Sequence, residues 1–276
     1  MIARVFPSRT KQTPVDEYAF VGDPPLFLPD DITEVHVSVT FSWDMSEAER
    51  LCEAWERIAP VRMGGPATGQ RGQEFTPGMY LKRGVTITSR GCPNNCWFCA
   101  VPRREGPLRE LEIKPGNVVQ DDNLLACSEE HIRKVFAMLE TQTDVKLSGG
   151  VEAKLLRPWH VELFEKAKVQ EAFFAYDTPD DWEPLVEAVR ILKASVWYRP
   201  HKCRCYCLIG HPRDTVENAE KRLTDVLKLG YLPYAMLWRD LEGKSAKKDP
   251  VWAKLQREWL RPAIVNSKRK ELEGVS

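Results

Sequence analysis

Three cysteines lie within eight residues in the segment SRGCPNNCWFCAVP (89–102). Cys92, Cys96 and Cys99 are spaced as CxxxC and CxxC, among Gly, Pro and Asn residues that are typical of a loop. Cysteine thiolates are the usual ligands of a [4Fe–4S] cube, and three of them leave one iron without a protein ligand. A tetrahedral zinc site needs a fourth ligand, and the next histidine along the chain is His131. The spacing therefore predicts a cluster with one open iron, and packing of unliganded thiols is the less favoured interpretation.

The composition excludes several other classes of protein. The 276 residues include 40 Lys and Arg against 40 Asp and Glu, so the net charge does not indicate a nucleic-acid partner. Eight cysteines without a secretory signal favour metal or redox chemistry over a disulfide framework. The sequence contains no run of eighteen apolar residues, so neither a membrane span nor a membrane partner is expected, and we expect a cytoplasmic protein.

Alternating strands and helices must position the cysteine loop. Strands are predicted at 85–89, 117–120, 145–149, 172–176, 203–209 and 233–238, and helices at 128–142, 159–168, 180–195 and 214–230. The first connection holds three prolines and is expected to form no more than a turn of helix. Six strands in βα alternation predict a parallel sheet that curves toward a barrel, with its chemistry at the carboxyl ends of the strands. The cysteine loop follows the first of these strands.

The residues before 85 form a separate pattern. A strand at 34–41, a helix at 45–58 and a strand at 60–65 predict a small βαβ unit. The prolines of the first thirty residues favour an extended surface arm, and Pro262 breaks a C-terminal amphipathic helix. The predicted divisions are an arm (1–33), the βαβ unit with a linker (34–84), the barrel (85–240) and a helical tail (241–276).

The segment GCPNNCWFC is similar to the CxxxCxφC signature of the radical S-adenosylmethionine (radical SAM) superfamily. Cys92, Cys96 and Cys99 match its cluster ligands, and Phe98 matches its aromatic position. The resemblance covers about residues 85–240 and implies an α/β fold with a partial (β/α)6 radical SAM barrel. It also implies a [4Fe–4S] cluster that reductively cleaves SAM, a 5′-deoxyadenosyl radical that abstracts hydrogen from a substrate, and an electron donor such as flavodoxin or ferredoxin.

Two segments are alternatives for holding the amino group of SAM, which the superfamily binds with a GGE-like stretch after its second strand. The segment after the second predicted strand offers carboxylates, whereas the segment after the third has the glycines and the glutamate of that stretch. The candidates are Asp121, Asp122 and Asn123 after the second strand, and Gly149, Gly150 and Glu152 after the third.

Two further strand ends carry weaker candidates. The resemblance implies that Asp177 contacts the ribose or carboxylate of SAM, although Thr178 or Asp180 beside it would also serve as a helix N-cap. It also implies an adenine contact at Gly210, in a segment similar to the family's GxIxG pattern. Tyr206 stands where that pattern has its first glycine.

A second group of cysteines lies in the predicted strand CRCYCLI. Alternation places Cys203, Cys205 and Cys207 on one face, where Cys127 could complete a second cluster. Neighbours on that face are separated by nearly 7 Å, about twice the rise per strand residue, so one cluster cannot easily take all three. Packing in the sheet is therefore the favoured interpretation.

The N-terminal βαβ unit resembles a shortened form of the cobalamin-binding domain that precedes the barrel in one radical SAM subgroup. The lower-ligand motif DxHxxG of that domain is absent, so no cobalamin is predicted. The leading hypothesis is a radical SAM enzyme, with an iron–sulfur electron-transfer or structural protein as the alternative. A zinc-stabilised nucleic-acid-binding module is less favoured because of the neutral charge and the βα alternation.

Overall fold

The chain divides into two compact units, which are described separately. A computed structural model describes residues 1–70, 75–240, 242–272 and 274. The N-terminal unit is Met1–Gly116 and the C-terminal unit is Asn117–Ser276. Parts of the predicted linker and tail, at 71–74, 241, 273 and 275–276, lie outside the described residues. Among the described residues, no helix is long and apolar enough to cross a membrane.

The N-terminal unit contains a four-stranded parallel sheet in the order β2-β1-β3-β4. Its strands are β1 (Ile2–Phe6), β2 (Ala19–Val21), β3 (Glu34–Ser38) and β4 (Val61–Gly64). Helix α1 (Met45–Trp55) connects β3 to β4, and these two strands pair in parallel, so the predicted βαβ unit is confirmed. Leu51 and Trp55 of α1 are fully buried against this sheet.

The interpretation of the first residues as a surface arm is wrong for Ile2–Phe6. Strand β1 lies between β2 and β3 at the centre of the sheet, and Ala3 and Val5 are fully buried. Arg4 pairs with Asp16 and donates to the carbonyl oxygen of Gly78 at 2.9 Å, which anchors the loops around the sheet. The prolines that suggested an arm all follow β1, so they shape the connecting loops and leave the strand intact.

Strand β5 begins the second part of the N-terminal unit. The segment predicted as one strand at 85–89 forms two short strands, because the chain leaves the parallel direction and pairs β6 with β7 in antiparallel register. Between β6 and β7 lie the cysteines and a single helical turn, which agrees with the expectation for this connection. The elements are β5 (Val85–Thr86), β6 (Ser89–Arg90), α2 (Val101–Arg104) and β7 (Arg109–Glu110).

The C-terminal unit contains parallel strands in the order β12-β11-β10-β9-β8. Helices follow β8, β9, β10 and β11 in sequence, as the βα alternation predicts. The strands are β8 (Val118–Val119), β9 (Lys146–Leu147), β10 (Glu171–Ala175), β11 (Cys203–Ile209) and β12 (Leu232–Leu237). The helices are α3 (Glu129–Leu139), α4 (Pro158–Lys166), α5 (Trp182–Lys193), α6 (Val216–Leu229), α7 (Pro250–Leu260) and α8 (Pro262–Leu272).

The two faces of this sheet differ in burial. Alternate residues of β11, beginning with Cys203, are fully buried, whereas those between them are only half-buried. The same alternation occurs in the middle of β10, where Phe174 is buried and Phe173 is half-exposed. Because a strand turns successive side chains to opposite faces, one face of the sheet is packed into the core and the other is more open.

Candidate functional site

The cysteine loop is held at its base by the β6–β7 pair. Ser89 pairs with Glu110 and Arg90 with Arg109, so the two ends of the loop lie together. Gly91 starts the loop with a φ of +82°, and a Cβ there would lie 2.2 Å from the carbonyl oxygen of Pro107. This position requires glycine, because any side chain would collide with the returning backbone.

A buried ion-pair group supports the far end of the loop. The Glu105 side chain is only 7 % exposed, and its carboxylate lies 3.2 Å from Arg104 Nε and 3.3 Å from Arg109 Nη2. Arg109 also donates to the carbonyl oxygen of Glu105 at 2.7 Å. These residues are not among those predicted from the sequence, where the run of charges in PRREGPLRE was the available signal.

The three cysteines of the loop are not joined in disulfide bonds. Cys96 is exposed, Cys92 and Cys99 are half-buried, and the backbone N–H of Asn94 lies 3.5 Å from Cys92 Sγ. An N–H directed at sulfur stabilises a thiolate, which is the form that binds metal. Phe98 is half-buried and meets Trp97 edge to face, with 5.4 Å between ring centroids.

The chemistry of these donors fits an iron–sulfur cluster. Within the described part of the chain, no three Cys, His, Asp or Glu side chains form a group that could hold a single metal ion. A [4Fe–4S] cube takes its thiolates at separate irons, so its ligands need not converge on one point. Cys92, Cys96 and Cys99, exposed or half-buried on a glycine-initiated loop, are therefore a suitable ligand set for such a cluster.

In the C-terminal unit, the two segments treated above as alternatives lie side by side. The 117–120 strand is confirmed as β8, and β9 is its parallel neighbour. The backbone N–H of Gly149 donates to the carbonyl oxygen of Val119 at 3.1 Å, and a Cβ on Gly149 would lie 2.1 Å from the carbonyl oxygen of Asp121. The chain segments that leave neighbouring parallel strands meet at one edge of the sheet, so a single site can use both.

A hydrogen bond joins these two segments directly. Asn123 Nδ2 donates to Glu152 Oε2 at 2.5 Å, and Lys154 Nζ lies 3.5 Å from Glu152 Oε1. Asn123 is 4 % exposed, whereas the Glu152 side chain is 18 % exposed. The edge therefore presents a partly accessible carboxylate that is held in place by a buried amide, with Asp121 buried beneath it.

Asp177 and Gly210 follow the next strands at the same edge. Asp177 Oδ1 accepts the backbone N–H of Leu208 at 2.9 Å, and burial raises the pKa of Asp177 to about 7 although this hydrogen bond opposes the shift. Thr178 is the N-cap of the turn Pro179–Asp181 that leads into α5, as one of the sequence alternatives predicts, and Asp181 completes a capping box by accepting the backbone N–H of Thr178 at 2.7 Å. Gly210 has a φ of +72°, which explains why glycine ends β11.

Tyr206 lies at the centre of a layer of aromatic rings on the more open face of the sheet. Its ring stacks on Phe173 at 4.8 Å and meets Tyr234 edge to face at 5.5 Å. Its hydroxyl donates to the carbonyl oxygen of Ser148 at 3.3 Å, which links β11 to the end of β9. The departure from the GxIxG pattern thus replaces a glycine by a packed ring. The alternation in CRCYCLI also places Tyr206 on the face opposite the cysteines, and this was the sequence signal for the ring layer.

The cysteines of β11 lie on the opposite, packed face. Cys203, Cys205 and Cys207 are fully buried. Burial raises the pKa of Cys203 to about 12 and raises that of Cys205 well above its usual range, so the thiols of Cys203 and Cys205 remain protonated. Protonated, buried thiols favour packing over metal binding.

Comparisons with known proteins give matches in structure alone. No family model and no curated protein matches the sequence. A structure of the radical SAM methyltransferase TsrM from Kitasatospora setae, with cobalamin and a [4Fe–4S] cluster bound, matches with a TM-score of 0.60 at 12% identity, over 87% of this chain and 75% of that chain. The same enzyme with tryptophan substrate and the SAM analogue aza-SAM matches with a TM-score of 0.57 at 12% identity, over 86% and 73%. This chain therefore has an α/β fold with parallel sheets that is similar to the fold of these structures, which confirms the predicted fold class.

Proposed function

We propose that this protein is a radical SAM enzyme that cleaves SAM reductively and transfers the resulting radical to a substrate by hydrogen abstraction. The observation that carries the proposal is the set of three cysteines in CxxxCxxC spacing, exposed or half-buried on a loop of a chain with this fold. Cys92, Cys96 and Cys99 hold a [4Fe–4S] cluster and leave one iron open. When bound and reduced, that cluster supplies the electron that splits SAM into methionine and a 5′-deoxyadenosyl radical.

The carboxyl edge of the C-terminal sheet binds the SAM molecule in this proposal. Glu152 accepts the ammonium group, since its carboxylate is partly accessible and fixed at the edge. Gly150 leaves room for the ligand beside the backbone, since a Cβ there would meet only the carbonyl oxygen of Asp122, at 4.0 Å. Gly149 lets the segments that leave β8 and β9 approach each other, and Asp177 and Gly210 contact the nucleoside part. Phe98 packs beside the cluster, as the matching aromatic position of the superfamily implies.

Cobalamin, which the TsrM structure contains, is not part of the proposal. The carboxyl ends of β1 and β3 border a crevice lined by residues that include Ser8, Thr10, Thr13, Thr40 and Phe41. Among the described residues, no histidine lines it that could serve as a lower ligand of cobalamin. The lower-ligand motif DxHxxG is also absent from the chain. These residues therefore do not fit cobalamin.

The proposal also includes a redox partner and a compartment. Each cleavage of SAM consumes one electron, which a small donor such as flavodoxin or ferredoxin would deliver. None of the eight cysteines, all of which lie in the described part of the chain, forms a disulfide bond, and the reducing cytoplasm would keep the three loop thiols available for iron.

Product analysis tests the proposal. Protein reconstituted anaerobically with iron and sulfide is expected to carry about four irons per chain. After reduction with dithionite it should convert SAM into equimolar 5′-deoxyadenosine and methionine, measured by liquid chromatography and mass spectrometry. The triple variant Cys92→Ala, Cys96→Ala, Cys99→Ala should lose both the iron and the product.

Cys52→Ala is the matched control, because Cys52 is a half-buried cysteine in α1, away from the loop. It should retain the iron and the product. A cluster-loaded, reduced wild type that releases no 5′-deoxyadenosine, with or without candidate substrates, would favour the electron-transfer alternative. Full iron content in the triple variant would exclude the ligand assignment itself.

A further inference from the structure

We propose that Asn123 is a positioning residue that fixes Glu152 through Oε2, so that Oε1 receives the ammonium of SAM, and that Lys154 occupies Oε1 until SAM binds. This inference rests on the proposed function, because it concerns the same SAM site. The three residues then have separate roles: Glu152 contacts SAM, Asn123 orients Glu152, and Lys154 competes with SAM for Glu152.

The positioning role follows from the geometry of Asn123. Its side chain is 4 % exposed, so it cannot reach a ligand as easily as Glu152 does. Its amide nitrogen donates to Glu152 Oε2 at 2.5 Å across 29 residues of sequence. A flexible glutamate side chain loses rotamer freedom when it is ordered, and a neighbour that orders it beforehand removes that cost from ligand binding.

The competing role follows from the exposure of Lys154. Its Nζ lies 3.5 Å from Glu152 Oε1, and its side chain is 60 % exposed. An exposed ion pair of this kind contributes little free energy, so an incoming ammonium can displace it readily. Lys154 ends in an ammonium group, like the amino end of SAM. Its Nζ therefore occupies the position at Glu152 Oε1 where the ammonium of SAM is expected to bind.

Substitutions at the two positions should have opposite effects on SAM affinity. Asn123→Leu and Asn123→Asp remove the donor and should each weaken SAM binding about tenfold, the usual effect of losing an orienting hydrogen bond. Lys154→Met removes the competitor and should tighten binding about two- to fivefold, as the loss of an exposed ion pair implies.

A double-mutant cycle separates positioning from direct contact. In a Glu152→Gln background, Asn123→Leu should add less than about a twofold loss, because a residue that acts through Glu152 has little left to act on. The dissociation constant for SAM is measured by equilibrium dialysis on anaerobic, cluster-loaded, oxidised protein, in which SAM binds but is not cleaved. Asn117→Leu is the matched control, since Asn117 precedes the same strand but donates to the carbonyl oxygen of Asp144.

The outcomes distinguish this inference from the proposed function. A wild type that binds no SAM overturns the proposed function itself. If the wild type binds SAM, two results overturn the positioning role alone. One is an unchanged SAM affinity in both Asn123 variants. The other is a tenfold loss of affinity on Asn123→Leu that persists in the Glu152→Gln background. If neither Asn123 variant folds, Lys154→Met decides: tighter binding supports the arrangement at Oε1, and weaker or equal binding overturns it.

Discussion

Cysteine has two different environments in this chain, and burial separates them. The thiols of the loop are exposed or half-buried, and one has a backbone N–H directed at its sulfur. The thiols of β11 have no exposed surface, and burial raises the pKa of Cys203 to about 12. Because metal binds the thiolate, accessibility and not residue type decides which cysteines can hold iron.

Substitution of Cys205 tests this separation. Cys205→Ala should leave the iron content of the reconstituted protein unchanged and lower the free energy of unfolding by about 1–2 kcal/mol, the cost of a small truncation in the core. Iron is measured by colorimetric assay and stability by urea denaturation. Cys99→Ala is the comparison variant and should lose iron instead. A loss of about half the iron in Cys205→Ala would reveal a second cluster.

Asp177 should make stability depend on pH. Its pKa of about 7 in the folded protein lies above the ordinary value of 3.8, so between these values the folded state retains a proton that the unfolded state has lost. This stabilisation is fully present below pH 3.8 and is lost as the pH rises through about 7. The free energy of unfolding should therefore fall over that interval, and Asp177→Asn should reduce the fall. Urea denaturation at a series of pH values measures it.

Asp180→Asn is the control for this measurement, because Asp180 is exposed in the same turn. It should leave the pH dependence unchanged. The same slope in wild type and Asp177→Asn would show that other groups cause it.

At the scale of elements, the C-terminal candidate site depends on how closely β8 and β9 approach each other. Gly149 has room for no side chain, since a Cβ would lie 2.1 Å from the carbonyl oxygen and 2.6 Å from the nitrogen of Asp121. Both obstructing atoms belong to the backbone, so relief requires the two segments to separate. Such a separation would also lengthen the bond between Asn123 and Glu152.

Gly149→Ala should therefore lower both stability and SAM affinity. The free energy of unfolding is expected to fall by about 1–3 kcal/mol, as for other overpacked sites. Urea denaturation and equilibrium dialysis measure the two effects. Gly64→Ala is the matched control, because no atom lies within 4 Å of a Cβ at that position and its φ is not positive. Equal effects of the two substitutions would contradict the close approach of β8 and β9.

At the scale of the whole molecule, each unit contains a parallel sheet, and the N-terminal sheet begins with the second residue of the chain. Trp55 connects several parts of that unit: its ring packs 5.1 Å from Phe20 of β2, and its indole N–H donates to the carbonyl oxygen of Gly22 at 3.1 Å. Strands β1 and β2 are thus part of the N-terminal unit and do not form a surface arm.

Two valines of this first segment test its role. Val5 is fully buried in β1, whereas Val15 is 82 % exposed in the following loop. Val5→Ala should lower the free energy of unfolding by about 2 kcal/mol, since it removes buried methyl groups from a packed core. Val15→Ala should change it by less than about 0.5 kcal/mol. Urea denaturation followed by tryptophan fluorescence gives both values, and similar small effects would restore the interpretation as a surface arm.

The sequence by itself determined the local features of this protein. The spacing of Cys92, Cys96 and Cys99 predicted a ligand set, and the alternation of strands and helices located β8 to β12, because both depend on residues that are near one another in the chain. Only the tertiary structure decided that β1 is central, that Tyr206 packs on Phe173, and that Asn123 meets Glu152. These contacts depend on strand order and register, which bring together residues that are 29 positions apart at Asn123 and Glu152 and 33 apart at Phe173 and Tyr206, and which local periodicity does not encode.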